Sequence, residues 1–260
     1  MIDQDEPALD ILGVGMAGDN AFTTDTLLRG RVTLLQPRHG FRSSLDPVLL
    51  AAFVGPPFGR FVDIGCGSGA VSFLLAATDD TATGVGVEIQ PRLASLAAAG
   101  LARNAFGNRI QIVHADVRGA VGRPPLDRGA FDLVVTNPPY RAVAGGLVSP
   151  HVERAQANHE VTLTLDDWLD CAAALVKPQG RIAVVYGAAR MQALIAGLER
   201  RKLRPTRIRL VHSRPERPAL RVLLEASRAD GSPPVIEEPL VLHGPDGGYT
   251  SEARNMLDEW

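Results

Sequence analysis

Residues 60–77 read RFVDIGCGSGAVSFLLAA, an apolar strand followed by a glycine-rich turn and an apolar helix. Gly65, Gly67 and Gly69 stand at alternate positions, which lets a ligand approach the backbone closely, and the following helix directs free N–H groups toward it. The spacing differs from the dinucleotide fingerprint, and no lysine follows as in a phosphate-binding loop. Asp63, directly before the loop, would repel a diphosphate. We therefore expect a ligand with a cationic or neutral centre.

Two further apolar strands of the chain lead into acids. Glu88 ends the strand expected over 83–88, and Asp116 follows the strand expected over 109–114. In nucleotide-binding α/β folds an acid at the end of the second strand accepts the ribose hydroxyls, and an acid after the third can accept from an adenine amino group. Each acid alone could be a solvated strand end or a helix cap. Their succession in chain order is a more specific signal for a nucleoside site.

A fourth strand, expected over 131–136, ends in Asn137-Pro138-Pro139-Tyr140. The prolines fix φ and remove backbone donors, so the turn is stiff and its carbonyls stay free. Asn137 and the Pro138 carbonyl offer two acceptors beside the Tyr140 ring, an arrangement that suits a planar group bearing an NH2. The alternative is a strand-ending turn with Tyr140 as a core aromatic.

The alternation of strands and helices predicts an α/β fold with a mainly parallel sheet and helices on both faces. Seven strands are expected, near 60–64, 83–88, 109–114, 131–136, 181–186, 206–212 and 219–226. The last two are joined by residues 213–218, too few for a crossover helix, and should pair antiparallel. We expect a flexible acidic arm over 1–24, a single domain over 25–228 and a C-terminal extension over 229–260.

Composition limits the possible classes of protein. The chain has 260 residues, 45% of them hydrophobic, enough to bury one sizeable core. Cys66 and Cys171 give neither a disulfide framework nor a metal-binding spacing. No apolar run reaches the ~18 residues of a membrane span, and the acidic N-terminus is unlike a signal peptide. We expect a cytoplasmic protein, without metal or membrane and most simply a monomer.

The net charge of −2 hides a strong segregation of charge along the chain. Residues 1–25 carry only acids, whereas the charges of 26–45 are all basic. The segment 200–221 holds nine Lys or Arg and a single acid, Glu216. Such a cluster is either a solvated face or the electrostatic footprint of phosphate binding. Because it accompanies a site suited to an amine, we expect RNA as the partner.

These motifs resemble those of class I S-adenosylmethionine-dependent methyltransferases, over roughly residues 45–225. The NPPY form is similar to enzymes that methylate exocyclic or amide nitrogens of adenine, guanine or glutamine. Three further segments, 34–51, 212–219 and 239–252, resemble the bacterial tRNA adenine-N6 methyltransferases that modify valine tRNA beside the anticodon. The stretch 42–45 departs from the phenylalanine-glycine-threonine form common in that family.

The resemblance implies a Rossmann-like seven-stranded sheet with one antiparallel strand and S-adenosyl-L-methionine as the cofactor. In it Glu88 would hold the ribose and Asp116 would read the adenine. The residues expected around the methionine end are Asp46, Asp63, Gly65, Cys66, Gly67, Gly69 and Asn137. Asp46, at the start of a helix over 45–54, could alternatively be only its N-cap.

The resemblance also implies an activity, which is methyl transfer to the exocyclic amine of a base, with adenine N6 of tRNA as the expected target. Asn137, Pro138 and Tyr140 would orient the flipped base. The residues expected to bind substrate are Pro139, Tyr140, Arg141, Arg154, Arg214 and Arg217. The segment 141–161 reads as a long loop beside the site and is expected to act as a lid or clamp.

Three alternatives remain open at this stage. One is an rRNA guanine-N2 methyltransferase, which is chemically close. Another is a protein glutamine N-methyltransferase, which usually carries a separate helical domain before the core. The third is a non-catalytic methyltransferase fold that serves as an RNA-binding module. A DNA adenine methyltransferase would need a target-recognition domain, for which no segment is large enough.

Overall fold

A long mixed sheet forms the centre of the protein in the computed structural model, which describes residues 22–39, 42–138, 163–228 and 232–258. The strands are β1 (Phe22–Leu27), β2 (Val32–Pro37), β3 (Arg60–Ile64), β4 (Thr83–Glu88), β5 (Ile110–His114), β6 (Phe131–Thr136), β7 (Val176–Gly187), β8 (Arg204–His212), β9 (Ala219–Ser227), β10 (Val235–Ile236) and β11 (Leu240–Val241).

The order of the central sheet is β10-β8-β9-β7-β6-β3-β4-β5, with β11 also paired to the outer side of β8. β9 runs antiparallel to both β7 and β8, and the other pairs are parallel. The predicted α/β class and the antiparallel last pair are therefore confirmed. The seven predicted strands are all present, and the two-residue strands β10 and β11 extend the sheet beyond them.

Helices cover both faces of this sheet. They are α1 (Asp46–Val54), α2 (Ala70–Thr78), α3 (Pro91–Asn104), α4 (Val117–Ala120), α5 (Leu165–Leu175), α6 (Met191–Arg200) and α7 (Ser251–Asp258). α5 begins with a capping box, in which the Thr164 hydroxyl accepts from the Asp167 N–H and the Asp167 carboxylate accepts from the Thr164 N–H. None of the helices in the described ranges combines the length and the apolar character that a membrane crossing requires.

The core lies in two layers, one on each side of the sheet. Successive strand residues point to opposite faces, and so Phe61 packs into the layer with α1 and α2, whereas Val62 packs into the layer with α5. Trp168 of α5 is fully buried in the second layer, as expected for a packing residue. The strands that carry the candidate site are thus fixed from both sides.

The two ends of the described chain add to this core. β1 and β2 form an antiparallel hairpin, and β1 begins at Phe22, inside the range expected for a loose arm. Residues 1–21 lie outside the described residues. Ala253 of α7 is fully buried in the layer that contains α1. We keep the division into an arm, a domain over 25–228 and an extension over 229–260 as a proposal.

Candidate active site

The carboxyl ends of four adjacent strands bring most of the predicted site residues together. In the sheet β6, β3, β4 and β5 are neighbours, and Ile64 at the end of β3 pairs with both Thr136 and Val87. The turn after β3, Glu88 at the end of β4, Asp116 after β5 and Asn137 after β6 therefore lie along one edge. Ligands of open α/β sheets bind at this edge.

The turn after β3 has the backbone that its glycines allow. Gly65, Gly67 and Gly69 have φ of 72°, 58° and 93°, values that residues other than glycine rarely adopt. A Cβ at Gly69 would lie 2.7 Å from the Phe73 ring, so the turn is also packed tightly against α2. At Gly65, by contrast, no atom of the described residues, apart from its neighbours in the chain, lies within 4 Å of the Cβ position. The open side of Gly65 is a place where a ligand can approach the main chain.

Glu88 fixes this turn from the neighbouring strand. Its carboxylate accepts from the Gly67 N–H at 2.9 Å and from the Gln90 N–H at 2.8 Å. The side chain is 5% exposed, and burial raises the pKa of its carboxyl. Each carboxylate oxygen has two lone pairs, so Glu88 retains acceptor capacity for a ligand hydroxyl.

Asp63 lies beneath the turn, on the face that packs against α2. Its Oδ2 accepts from the Ser72 N–H at 3.1 Å and from the Ser72 hydroxyl at 2.8 Å. The side chain is 1% exposed, and burial raises the pKa of its carboxyl to about 7, partly opposed by the Ser72 hydrogen bonds. Asp63 thus positions the first turn of α2, and its ionisation falls in the physiological range.

Asp116 is held by a residue of its own helix. Its carboxylate accepts from the Arg118 N–H at 3.0 Å, caps α4, and forms an ion pair with the Arg118 guanidinium at 2.6 Å. The hydrogen bond from the Arg118 side chain lowers the pKa of Asp116, so the carboxylate is ionised. This pairing fixes the orientation of Asp116 at the end of β5.

Two hollows adjoin at Gly65. The first is mainly apolar and is lined by Gly65, Val87, Ile89, Ala115, Asp116, Val117 and Leu163. The second is more polar and is lined by Ser43, Pro47, Asp63, Gly65, Cys66, Gly67, Ser68, Ala70, Val71 and Asn137. These two hollows, which share Gly65 and lie along the ends of the four strands, are together called the cleft. Its apolar part suits a flat ring, and its polar part contains the predicted amide.

Asn137 and Pro138 begin the predicted NPPY turn at the second hollow. The Thr136 hydroxyl, directly before them, donates to the Ile64 carbonyl at 2.9 Å and fixes the end of β6 against β3. Pro138 is buried, and Asn137 is partly exposed to the cleft. The other predicted residues of this part, Pro139, Tyr140, Arg141 and Arg154, lie outside the described residues, as does the expected loop over 141–161.

Asp46 is engaged by a distant arginine. It is the first residue of α1 and 8% exposed, and its Oδ2 lies 3.0 Å from Nε of Arg221 on β9. The N-cap position is Leu45, and the Asp46 N–H donates to the Ser44 hydroxyl at 3.4 Å, so the interpretation of Asp46 as the N-cap was wrong. Its neighbour Pro47 lines the second hollow. The start of α1 therefore lies at the cleft.

Ser43 and Leu163 line the two hollows but were not predicted from the sequence. Gln36 of β2 is 5% exposed, and its Oε1 accepts from the Ser43 N–H at 2.6 Å. Asp25 accepts from the Gln36 amide at 2.5 Å and from Arg42 at 2.6 Å. The hairpin thus fixes one wall of the cleft. A buried glutamine in an apolar strand was the available signal.

The predicted basic segment is mostly neutralised within the protein. Its internal ion pairs are Arg200 with Asp166, Arg201 with Asp166 and Asp170, Arg207 with Glu225 and Glu237, Arg209 with Glu237 and Glu252, and Arg221 with Asp46. Arg214 and Arg217 are exposed in the turn between β8 and β9. Within the described ranges no carboxylate lies at ion-pair distance from them. The exposed basic residues of this segment that have no ion pair within the described ranges are therefore Lys202, Arg204, Arg214 and Arg217, and only the last two follow the carboxyl end of β8.

The cysteines behave as packing residues. Cys66 is 7% exposed, and its Sγ lies 2.9 Å from the Cβ position of Gly86 on β4. Burial raises the pKa of the Cys66 thiol well above its usual value and that of Cys171 to about 11. Both thiols are therefore neutral and poor nucleophiles.

Comparison with known sequences gives a consistent result. The family described as methyltransferase small domain matches residues 45–191. A Porphyromonas gingivalis protein named tRNA1(Val) (adenine(37)-N6)-methyltransferase is 32% identical over 238 residues, which cover 88% of this chain and 92% of that protein. A Dickeya chrysanthemi protein of the same name is 32% identical over 232 residues, 86% of this chain and 88% of the relative.

Solved structures share the fold. The crystal structure of a predicted O-methyltransferase from Agrobacterium tumefaciens has a TM-score of 0.65 and 26% identity, and covers 81% of this chain and 94% of its own. A T. thermophilus 16S rRNA N2 methyltransferase in complex with AdoMet and guanosine has a TM-score of 0.54 and 21% identity, with 80% of this chain and 50% of the other covered.

Proposed function

Since the chain belongs to the methyltransferase small domain family, we propose that this S-adenosylmethionine-dependent methyltransferase acts on adenine N6 of a tRNA. The observation that supports this target is the similarity to the tRNA1(Val) (adenine(37)-N6)-methyltransferases, which extends over 88% of the chain rather than over the cofactor-binding core alone.

The polar groups that line the cleft suit S-adenosylmethionine. The open side of Gly65 leaves room for the ligand against the main chain. Glu88 would accept the ribose hydroxyls, and Asp116 would accept from the adenine amine within the apolar hollow. The second hollow, with the turn from Asp63 to Gly69, would hold the methionine end. When bound, this cofactor supplies an activated methyl group, so the chain needs neither a metal nor a nucleophile of its own.

The residues after β6 would orient the amine. An exocyclic amine is a weak nucleophile because its lone pair is delocalised into the ring. The Asn137 side chain and the Pro138 carbonyl would accept its two N–H bonds, which favours a geometry with the lone pair directed at the methyl group. Tyr140 would stack on the flipped base, and Pro139, Arg141 and Arg154 would complete its binding. The proton can leave after the transfer, so no strong base is required.

The RNA would approach along the same edge of the sheet. The turn between β8 and β9 follows the carboxyl end of β8, so Arg214 and Arg217 lie on the side of the sheet that carries the cleft. Exposed arginines that have no carboxylate partner among the described residues are available for phosphates. Action on tRNA would place the protein in the cytoplasm.

One labelling experiment tests both the substrate and the reaction. The full-length protein is incubated with methyl-labelled S-adenosylmethionine and separate pools of unmodified tRNA, rRNA and protein, and the labelled nucleosides are then identified. N6-methyladenosine from tRNA is the expected product. N2-methylguanosine from rRNA, or label in protein alone, would overturn the proposed target while leaving the methyltransferase assignment intact.

A further inference from the structure

A short hairpin after β11 carries a stacked aromatic pair. His243 and Tyr249 pair across the hairpin, and their ring centroids lie 4.7 Å apart with 22° between the ring planes. The Gly244 N–H donates to the Gly248 carbonyl at 2.9 Å and closes the turn. Tyr249 remains 36% exposed although its ring is stacked. The hairpin therefore holds an aromatic ring rigidly at the surface.

This hairpin lies at the edge of the sheet that carries the cleft. β11 runs parallel to β8, with Val241 opposite His212, so both strands end at the same edge. The His243 N–H donates to the Ser213 carbonyl at 3.0 Å, which joins the hairpin to the turn between β8 and β9. A guanidinium nitrogen of Arg214 lies 3.7 Å from the Cβ position of Gly247. The stacked rings and the exposed arginine are thus neighbours.

The separation from the cleft can be read from the strand order. Four strand steps lead from β6 to β11, through β7, β9 and β8. At about 4.8 Å per step the hairpin lies roughly 19 Å along the edge from Asn137. A stacked strand rises about 3.4 Å per nucleotide, so this span corresponds to on the order of five nucleotides. A single RNA loop can reach both places.

We propose that Tyr249, backed by His243, is a stacking platform for an unpaired base of the RNA substrate, a few nucleotides from the base that is methylated. This inference rests on the proposed function. A rigid ring with one face supported by a second ring binds a base at little cost in conformational entropy. The neighbouring Arg214 supplies the charge that an adjacent phosphate requires. The platform fixes the register of the loop, so that the target base reaches Asn137.

The first test compares variants of the full-length protein in binding an unmodified valine tRNA transcript. Tyr249→Leu keeps an apolar side chain but removes the aromatic face, and should weaken tRNA binding about 5- to 100-fold. Tyr249→Phe should bind tRNA like the wild type. Val235→Ala, at an exposed position on β10, is the matched control and should change nothing. The affinity for S-adenosylmethionine should be the same in all four proteins.

The second test distinguishes the stacking of an RNA base on Tyr249 from a role of Tyr249 in the fold alone. 2-Aminopurine, whose fluorescence is quenched by stacking, is placed at single loop positions around the target adenine. One position other than the target should be quenched on binding to the wild type and to Tyr249→Phe, but not to Tyr249→Leu. If Tyr249→Leu fails to fold, the wild type still decides, because the absence of a quenched flanking position would overturn the platform.

The results of the two tests distinguish a failure of the stacking platform from a failure of the proposed function. Equal tRNA affinity of a folded Tyr249→Leu protein and the wild type would overturn the platform and leave the proposed function standing. Failure of the wild type itself to bind or methylate tRNA would overturn the proposed function, and the platform with it.

Discussion

The side-chain oxygen of Gln36 accepts a 2.6 Å hydrogen bond from the backbone N–H of Ser43 and ties the N-terminal hairpin to the wall of the cleft. This contact connects a strand outside the central sheet to the hollow that contains Asn137. We therefore infer that the hairpin supports cofactor binding, although its position in the sequence does not suggest this.

We expect Gln36→Leu to weaken S-adenosylmethionine binding roughly tenfold. The substitution keeps the size of the side chain but leaves the Ser43 N–H and the Asp25 carboxylate without this partner, a loss of about 1–3 kcal/mol that loosens the wall. Isothermal titration of the cofactor measures the effect. Gln192→Leu, at an exposed position on α6, is the control. Equal affinities of the two variants would contradict the role of Gln36.

Asn137→Ala should lower single-turnover methyl transfer by about a hundredfold or more and leave cofactor affinity within about twofold. The reason is that the amide is assigned to the amine of the substrate, and one group aligned with the reacting atoms is worth this much in comparable sites. Quenched-flow transfer and cofactor titration separate the two quantities. Asn108→Ala, on the exposed surface, is the control. Unchanged turnover in Asn137→Ala would refute the assignment.

The stability of the protein should fall as the pH rises toward neutrality because of Asp63. Its pKa is raised from 3.8 to about 7 in the folded state. Between these values the native protein holds a proton that the unfolded chain releases, so the contribution of Asp63 to stability is full below about pH 4. That contribution decreases through about pH 7 and is constant above it.

The comparison of Asp63→Asn with the wild type isolates this effect. Between about pH 5 and about pH 8 the free energy of unfolding of the wild type should fall by on the order of 2 kcal/mol more than that of Asp63→Asn. Urea denaturation at both pH values measures the difference. Asp80→Asn, whose side chain is fully exposed, should follow the wild type. Parallel pH profiles for Asp63→Asn and the wild type would mean that Asp63 is ionised throughout.

The affinity for tRNA should decrease steeply with salt, and Arg214 and Arg217 should account for part of that dependence. Replacing each by Gln should reduce the slope of log affinity against log salt by about 0.7–0.9. The reason is that RNA binding releases fewer counterions when one phosphate contact is lost. Arg200→Gln, which breaks an ion pair with Asp166, should leave the slope unchanged. An equal reduction of this slope in all three variants would indicate only a general effect of charge and would contradict the assignment of Arg214 and Arg217.

The sequence was sufficient to predict the positions of residues that directly follow a strand. The turn from Gly65 to Gly69, Glu88 and Asn137 were placed correctly because parallel neighbouring strands bring their carboxyl ends to one edge, whatever the details of packing. The antiparallel pairing of β8 and β9 followed equally from the short link between them. These inferences depend on local pattern and on general rules of chain connection.

The sequence was insufficient to predict the surroundings of side chains whose partners lie far away along the chain. The arginines of 200–221 appear as one basic run, but Asp166, Glu225 and Glu252 approach them only in the folded chain. The strands β10 and β11 have two residues each and leave no periodic pattern. Asp46 resembles a helix cap in sequence, whereas Arg221, 175 positions away, determines its role.

The reversed direction of β9 has a consequence for how such an enzyme can diversify. Because β9 returns directly beside β8, the connection between them and the hairpin after β11 both emerge at the cleft edge without passing through the strands that hold the cofactor. Insertions or replacements there could alter which nucleic acid is selected while leaving methyl-donor binding untouched. Choice of target and reaction chemistry can therefore evolve independently on this scaffold.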